Sequence, residues 1–354
     1  MENEISDKRT VKEFKGITFS KFKKSSAKKE LLNNLSSGKI EPSCYWSGEF
    51  ICAGHFIELW EIIILFSSKH IHLGNPKLPI YLDLRLDHFR EIVNNGYRDN
   101  IIKLRNNEKI RKLFAEIMCV LCLSKKKHSF DNIKVDKDDF NITGIAYKLK
   151  ADTVKYAEPI FQKEDPKELF IAVNEFVFNI KQSQKNSNIA CYWLEWILGF
   201  EDICKREKKN YLGGRRNIPV ESKFQKDIIW IVWDCLLLES KNRNSSIHKI
   251  VKALLDLFCL KYKPGCRKRR KYLIYYGIHL LTEPLDNNIK LITNETLISQ
   301  VQSKINVIYK QIKKNEVKPD TDYLFNNSIN NNLEKTIKKL DKMNALSGMI
   351  PRNK

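Results

Sequence analysis

The run Arg267-Lys268-Arg269-Arg270-Lys271 is the densest concentration of one chemistry in the chain. It follows Lys261, Lys263, Pro264 and Gly265 and opens a helical pattern bearing Tyr272, Tyr275 and Tyr276. Cations packed this closely repel one another, and at a helix N-terminus they also oppose the macrodipole. An anionic ligand relieves both costs. A second cluster comprises Lys205, Arg206, Lys208 and Lys209, then Leu212-Gly213-Gly214-Arg215-Arg216, where the two glycines allow backbone amides to face a phosphate. Lys125, Lys126 and Lys127 form a third, and Lys21, Lys23, Lys24, Lys28 and Lys29 a fourth. Any one run reads equally as a solvated helix end or an import signal. Together they predict contacts to a phosphate backbone, insensitive to base sequence and strongly salt-dependent. The three tyrosines stack on bases or belong to the core, since they alternate with Leu273 and Ile274.

Other chemistry is weaker. Cys119 and Cys122 make a C-x-x-C with His128 six residues on, but the pair lies in an apolar helical run between Met118 and Leu123. Buried cysteine behaves as a small hydrophobe, so packing is expected rather than a four-ligand zinc site. Cys52 and His55 read the same way, as packing plus one satisfied histidine. Asp83 and Asp87 stand on one helix face beside Arg85 and Arg90 and suit a solvated ion-pair face. No P-loop, dinucleotide fingerprint, zincin, serine-hydrolase or kinase signature is found. Nor is there a nucleophile–base–orienter set. A non-enzymatic protein without cofactors is therefore expected.

Helical periodicity dominates the elements that must carry these residues. Apolar residues recur at helical spacing from Cys44 to Phe66, interrupted by Gly48 and Gly54, so either two helices or one kinked helix is expected. Further helices are predicted over 80–93, 108–123, 165–180, 188–206, 221–239, 245–261, 268–281 and 295–313. Asp165-Pro166-Lys167-Glu168 reads as a helix start, with Asp165 as cap. The fold class is all-α, an irregular array of about ten helices, with room for a small β element near 130–145. The division expected is a basic flexible arm over 1–40, a helical domain over 41–313 with a sub-boundary near 129–165, and an Asn/Lys-rich tail over 314–354. Cys44-Tyr45-Trp46 recurs as Cys191-Tyr192-Trp193, which duplication would explain.

Composition bounds the class. The chain has 354 residues, 42% of them apolar and 10% aromatic, which excludes a disordered or collagen-like chain. Sixty-three Lys and Arg against 42 Asp and Glu give a formal charge of +21, pointing to a polyanionic partner. No apolar run reaches the length of a spanning helix, and residues 1–40 lack a signal-peptide apolar stretch. Nine cysteines, an odd number set mostly in apolar runs, suit reduced thiols in a cytosolic or nuclear compartment.

The stretch Ser67-Ser68-Lys69-His70-Ile71-His72-Leu73-Gly74-Asn75-Pro76-Lys77-Leu78-Pro79, the two Cys-Tyr-Trp openings and the run from Cys266 to Lys271 resemble a protein group of nucleocytoplasmic large DNA viruses of protists. The resemblance spans residues 43–285, and the Lys/Asn/Ile-rich composition is similar to that of mimivirus-like viruses with AT-rich genomes. It carries no motif with an assigned chemical role, so no catalytic residue follows from it. The resemblance implies a viral protein acting in the host cytoplasm or nucleus, or in the virion. The expected function is binding of DNA or RNA through phosphate contacts, in replication, transcription or packaging. The alternative is a structural virion or internal capsid component whose basic faces meet acidic viral proteins or the genome.

Overall fold

The computed structural model describes residues 3–127, 133–208, 211–286, 288–317 and 329–346. It is an all-α array. In chain order the helices are α1 (Lys24–Ser36), α2 (Ile40–Cys52), α3 (Phe56–Phe66), α4 (Leu78–Asn94), α5 (Glu108–Leu123), α6 (Ile142–Ile145), α7 (Phe170–Ile180), α8 (Ser187–Arg206), α9 (Ile229–Lys241), α10 (Ser245–Phe258), α11 (Arg267–Thr282), α12 (Glu295–Lys313) and α13 (Ile329–Leu346). The small β element expected near 130–145 is not formed among the described residues. Lys137–Phe140 is a 3₁₀ turn leading into α6, and among the described residues the only extended pairing is an isolated bridge between Ile17 and Lys23.

The chain divides into two compact units. Unit 1 is Met1–Ile71, Leu84–Lys126 and Lys290–Lys354; unit 2 is His72–Asp83 and Lys127–Ile289. In unit 1, α2 is buried along almost its whole length and packs on α1, α5, α12 and α13. Gly48 makes the approach of α12 possible, since a Cβ there would lie 2.7 Å from the Ile312 Cδ1. Gly54, at φ +74°, turns the chain from α2 into α3, so the interrupted apolar run is two helices.

Residues 1–40, expected to be a mobile arm or one short helix, carry α1 and are part of this core. Phe14, Phe19 and Phe22 are buried. The buried Glu49 carboxylate of α2 accepts hydrogen bonds from Thr18 Oγ1 at 2.8 Å, the Ser20 amide at 2.9 Å and Ser20 Oγ at 2.5 Å. His55 Nε2 faces two carbonyl oxygens, those of Phe14 at 3.0 Å and Ile17 at 2.8 Å, so that nitrogen carries the proton and donates. A charged count over residues 1–40 hides the three phenylalanines that anchor them.

In unit 2, α7 packs on α8 and α9, and α11 packs on α8, α9 and α10. Val173, Phe176, Val177 and Ile180 form the buried stripe of α7, as their spacing predicts, and Leu169 is buried just before it. Asp165 does not cap that helix. A 3₁₀ turn, Lys167–Leu169, intervenes, and the Asp165 carboxylate is bound to Arg216 instead.

The units repeat a local pattern. Cys44-Tyr45-Trp46 and Cys191-Tyr192-Trp193 each begin at the fifth residue of their helix, α2 and α8. In both, the Tyr ring meets its Trp neighbour edge-on, with centroids 5.4 Å apart. Trp60 and Trp233 are each the fifth residue of the next long helix, α3 and α9. Each contacts a phenylalanine of the helix that follows, Phe89 at 6.0 Å and Phe258 at 5.2 Å. Arg111 and Arg270 are each the fourth residue of a 16-residue helix, and each buries its guanidinium against a backbone carbonyl, of Arg105 and Phe258 respectively.

Candidate nucleic-acid interface

The two larger basic clusters both lie in unit 2, and they meet at one cleft. Its walls are the C-terminal end of α8, the loop of residues 211–227 and the approach to α11. Lys205 and Arg267 line a space of about 550 Å³ together with Tyr211, Phe224, Lys223 and Asp227. An adjoining space of about 400 Å³ is shared by Lys205, Arg267 and Lys268.

Arg267 holds this region together. Its Nη1 bonds Asp227 Oδ1 at 2.7 Å and also pairs with Glu201, while Nε donates to the Pro264 carbonyl at 3.0 Å. Tyr262 donates its hydroxyl to the other Asp227 oxygen at 2.7 Å. Burial by itself lowers the Arg267 pKa, but the Asp227 and Glu201 carboxylates outweigh it, and the net shift is upward. The guanidinium is therefore charged, buried and already neutralised.

The same holds for much of both clusters. Arg270 is 2% exposed and donates to the Phe258 carbonyl at 2.6 Å. Lys271 pairs with Glu195 at 2.6 Å, and the Tyr275 hydroxyl donates to the same oxygen at 2.5 Å. Arg216 grips Asp165 with two bonds of 2.6 Å and Asp234 with one of 2.7 Å. Burial raises the Asp165 pKa, but Arg216 and the amides of Gln162 and Gly214 offset this and hold it below the usual carboxylate value. The expected glycine cradle for phosphate is closed. The Gly213 amide donates to the Lys226 carbonyl and the Gly214 amide to Asp165, both at 2.8 Å. Those glycines serve close packing, since a Cβ on Gly214 would sit 2.2 Å from Gln162 Oε1.

What faces solvent is a different subset. The Lys205 and Lys268 side chains are 52% and 69% exposed, although they touch Glu201 at 2.8 Å and Asp202 at 2.5 Å. Arg206, Lys208, Arg215 and Arg269 are exposed, and Arg215 Nε donates to Gln225 Oε1 at 2.8 Å. Lys209 lies outside the described residues. Lys223, which sequence reasoning missed, is 67% exposed beside Glu221. Lys261 and Lys263 are exposed on the same side, close enough to lower the Glu221 pKa after the larger effect of Lys223.

The remaining candidates fall elsewhere. Lys125 is exposed; Lys126, in unit 1, donates to the carbonyls of Leu121 at 3.1 Å and Cys122, at the end of α5. Lys127 pairs with Glu283 at 2.9 Å. Tyr275 and Tyr276 are core residues, and Tyr272 is half-buried. Cys119 and Cys122 are buried in α5, with the Cys122 thiol 3.4 Å from Ser43 Oγ; His128 lies outside the described residues. Among the described residues no group of three or more His, Cys, Asp or Glu side chains is arranged to hold a metal ion. All nine cysteines are buried, and no described helix is long and apolar enough to cross a membrane.

No family model matches the chain, and neither a curated protein nor a solved structure matches it.

Proposed function

We propose that the chain binds nucleic acid through phosphate contacts made by exposed lysines around the unit 2 cleft. The observation that carries the reading is convergence: Lys205, Lys223 and Lys268 come from three separate stretches of sequence and reach solvent at one concavity. Arg206, Lys208, Lys261 and Lys263 extend the basic surface. Arg216, Arg267 and Arg270 position it from within. The resemblance to proteins of large DNA viruses is what suggests a role in viral replication, transcription or packaging, inside the host cell or the virion.

Exposed ion pairs are worth little, so Lys223 and Lys268 can exchange Glu221 and Asp202 for phosphates at small cost, and the buried Glu201 keeps Arg267 as partner when Lys205 leaves it. The test is fluorescence anisotropy against matched DNA and RNA over a salt series. The triple variant Lys205→Gln, Lys223→Gln, Lys268→Gln should lower the slope of log affinity against log salt by about 2 for a single strand. Replacing all of residues 267–271 is not a usable test, because Arg267 and Arg270 are buried in the fold. An unchanged slope would move the interface away from this cleft. No binding at low salt would remove the reading and favour the structural virion role.

A further inference from the structure

We infer that the cleft accepts an unpaired base, so that the preferred ligand is a single strand whose phosphates lie on the lysine rim while one base enters. This rests on the nucleic-acid reading above and adds the class of ligand.

The argument starts from the floor. Glu201 and Asp227 line the cleft, and both carboxylates are buried against Arg267. Lining cations and carboxylates nearly balance, with Lys205, Lys223 and Arg267 against Glu201 and Asp227. Two carboxylates at the bottom repel a phosphate. They are acceptors with spare lone pairs and suit the amino edge of a base. The cationic excess sits outside, where a backbone would run.

The walls agree. Tyr211 and Phe224 line the cleft and are half-exposed. Tyr211 is braced edge-on by Phe200 at 5.6 Å, and Phe224 by Tyr262 at 5.9 Å. The ammonium of Lys223 lies over the Phe224 ring, 4.9 Å from its centroid. Lys223 is flexible and exposed, so a base can take its place on the ring and release the ammonium to the adjacent phosphate. Aromatic faces beside a cationic track are the usual means of holding single strands, whereas a duplex hides its base faces.

The experiment compares a labelled single strand with its duplex at one salt concentration, and repeats the single-strand titration with 2-aminopurine in place of one base. The single strand should bind about tenfold more tightly, and aminopurine emission should fall on binding. Phe224→Leu should abolish both effects. Tyr211→Leu provides an independent second variant, with thermal melts of both proteins checking the fold. Oligo-dC and oligo-dA should bind more tightly than oligo-dT, which has no exocyclic amine for the carboxylates. Equal affinity for single strand and duplex, or a preference that survives both variants, overturns this inference and leaves phosphate binding standing. No binding to either form at low salt overturns both.

Discussion

Arg216 and His72 show two ways a titratable residue is used inside this molecule. Arg216 is 4% exposed and spans Asp165 and Asp234, tying the loop after α8 to α9. Removing one partner of a buried ion pair strands the other charge. Arg216→Ala should therefore cost about 3–5 kcal/mol in urea unfolding. A loss below about 1 kcal/mol, the range of surface pairs, would mean the network is hydrated. His72 is buried, stacked on Tyr276 at 4.5 Å and edge-on to His279 at 4.8 Å. Burial pushes its pKa down to about 2, helped by the positive charges that His279 and Lys127 bring. Burial also lowers His279, against the Tyr275 carbonyl and Glu283. The unfolded histidine takes up a proton near pH 6.5 while folded His72 stays neutral. Stability is thus full above that pH and falls as pH drops towards the folded value. Between pH 7 and pH 5 the loss from His72 is about 2 kcal/mol. His72→Phe keeps an aromatic ring beside Tyr276, and its urea midpoint should fall less on acidification than that of the parent. Equal pH sensitivity in the two proteins would show that His72 is protonated in the fold.

At the level of elements, four helix starts share one device. Asn107, Asn186, Asn244 and Asn294 cap α5, α8, α10 and α12, each accepting from the amide three residues on at 2.8–3.1 Å. Asn244 and Asn294 also belong to Asn-x-Ser/Thr sequons, which here are helix starts: Thr296 Oγ1 donates to the Asn294 cap at 2.8 Å. Asn294→Ala should cost about 1 kcal/mol, read as a fall in the thermal midpoint, while Asn294→Asp should be nearly neutral. An unchanged midpoint in the Ala variant would indicate that α12 is held by packing alone. The helix starts near 108, 188, 245 and 295 were legible in the sequence, but the asparagine caps before them were not singled out. The helices were legible too, because the 3.6-residue period survives in short windows. Charge partners were legible only where they are local: Glu201 precedes Lys205 by four residues. The pairings that decide the site, Arg267 with Asp227 and Arg216 with Asp165, join residues 40 and 51 positions apart, which periodicity does not register. Hence the basic runs marked stretches that fold around the cleft, but not which of their side chains are buried in ion pairs and which face solvent. Lys223 and Phe224, lone residues in a polar loop, carried no sequence signal.

For the whole molecule, the charge of +21 acts against the fold and in favour of the proposed nucleic-acid binding. Like charges spread over a compact surface repel, and unfolding relieves them by expanding the chain. Salt screens that repulsion over about 10 Å at 0.1 M. The buried pairs of Arg216 and Arg267 lie out of reach of such screening, so their contribution persists. Salt should therefore act with opposite signs on two properties of one protein. Raising sodium chloride from about 20 mM to about 200 mM should raise the thermal midpoint, because the exposed excess is screened while the buried pairs remain. The same change should weaken nucleic-acid binding steeply, because counterions are no longer released as favourably. A melting series with and without a bound oligonucleotide checks both. At low salt the ligand should stabilise strongly, by neutralising the rim and by mass action, and the two curves should converge as salt rises. A thermal midpoint that falls with salt in the free protein would mean that surface attraction outweighs repulsion. The exposed lysines would then be held by their carboxylates, and the cleft would have no cationic surplus to offer a phosphate backbone.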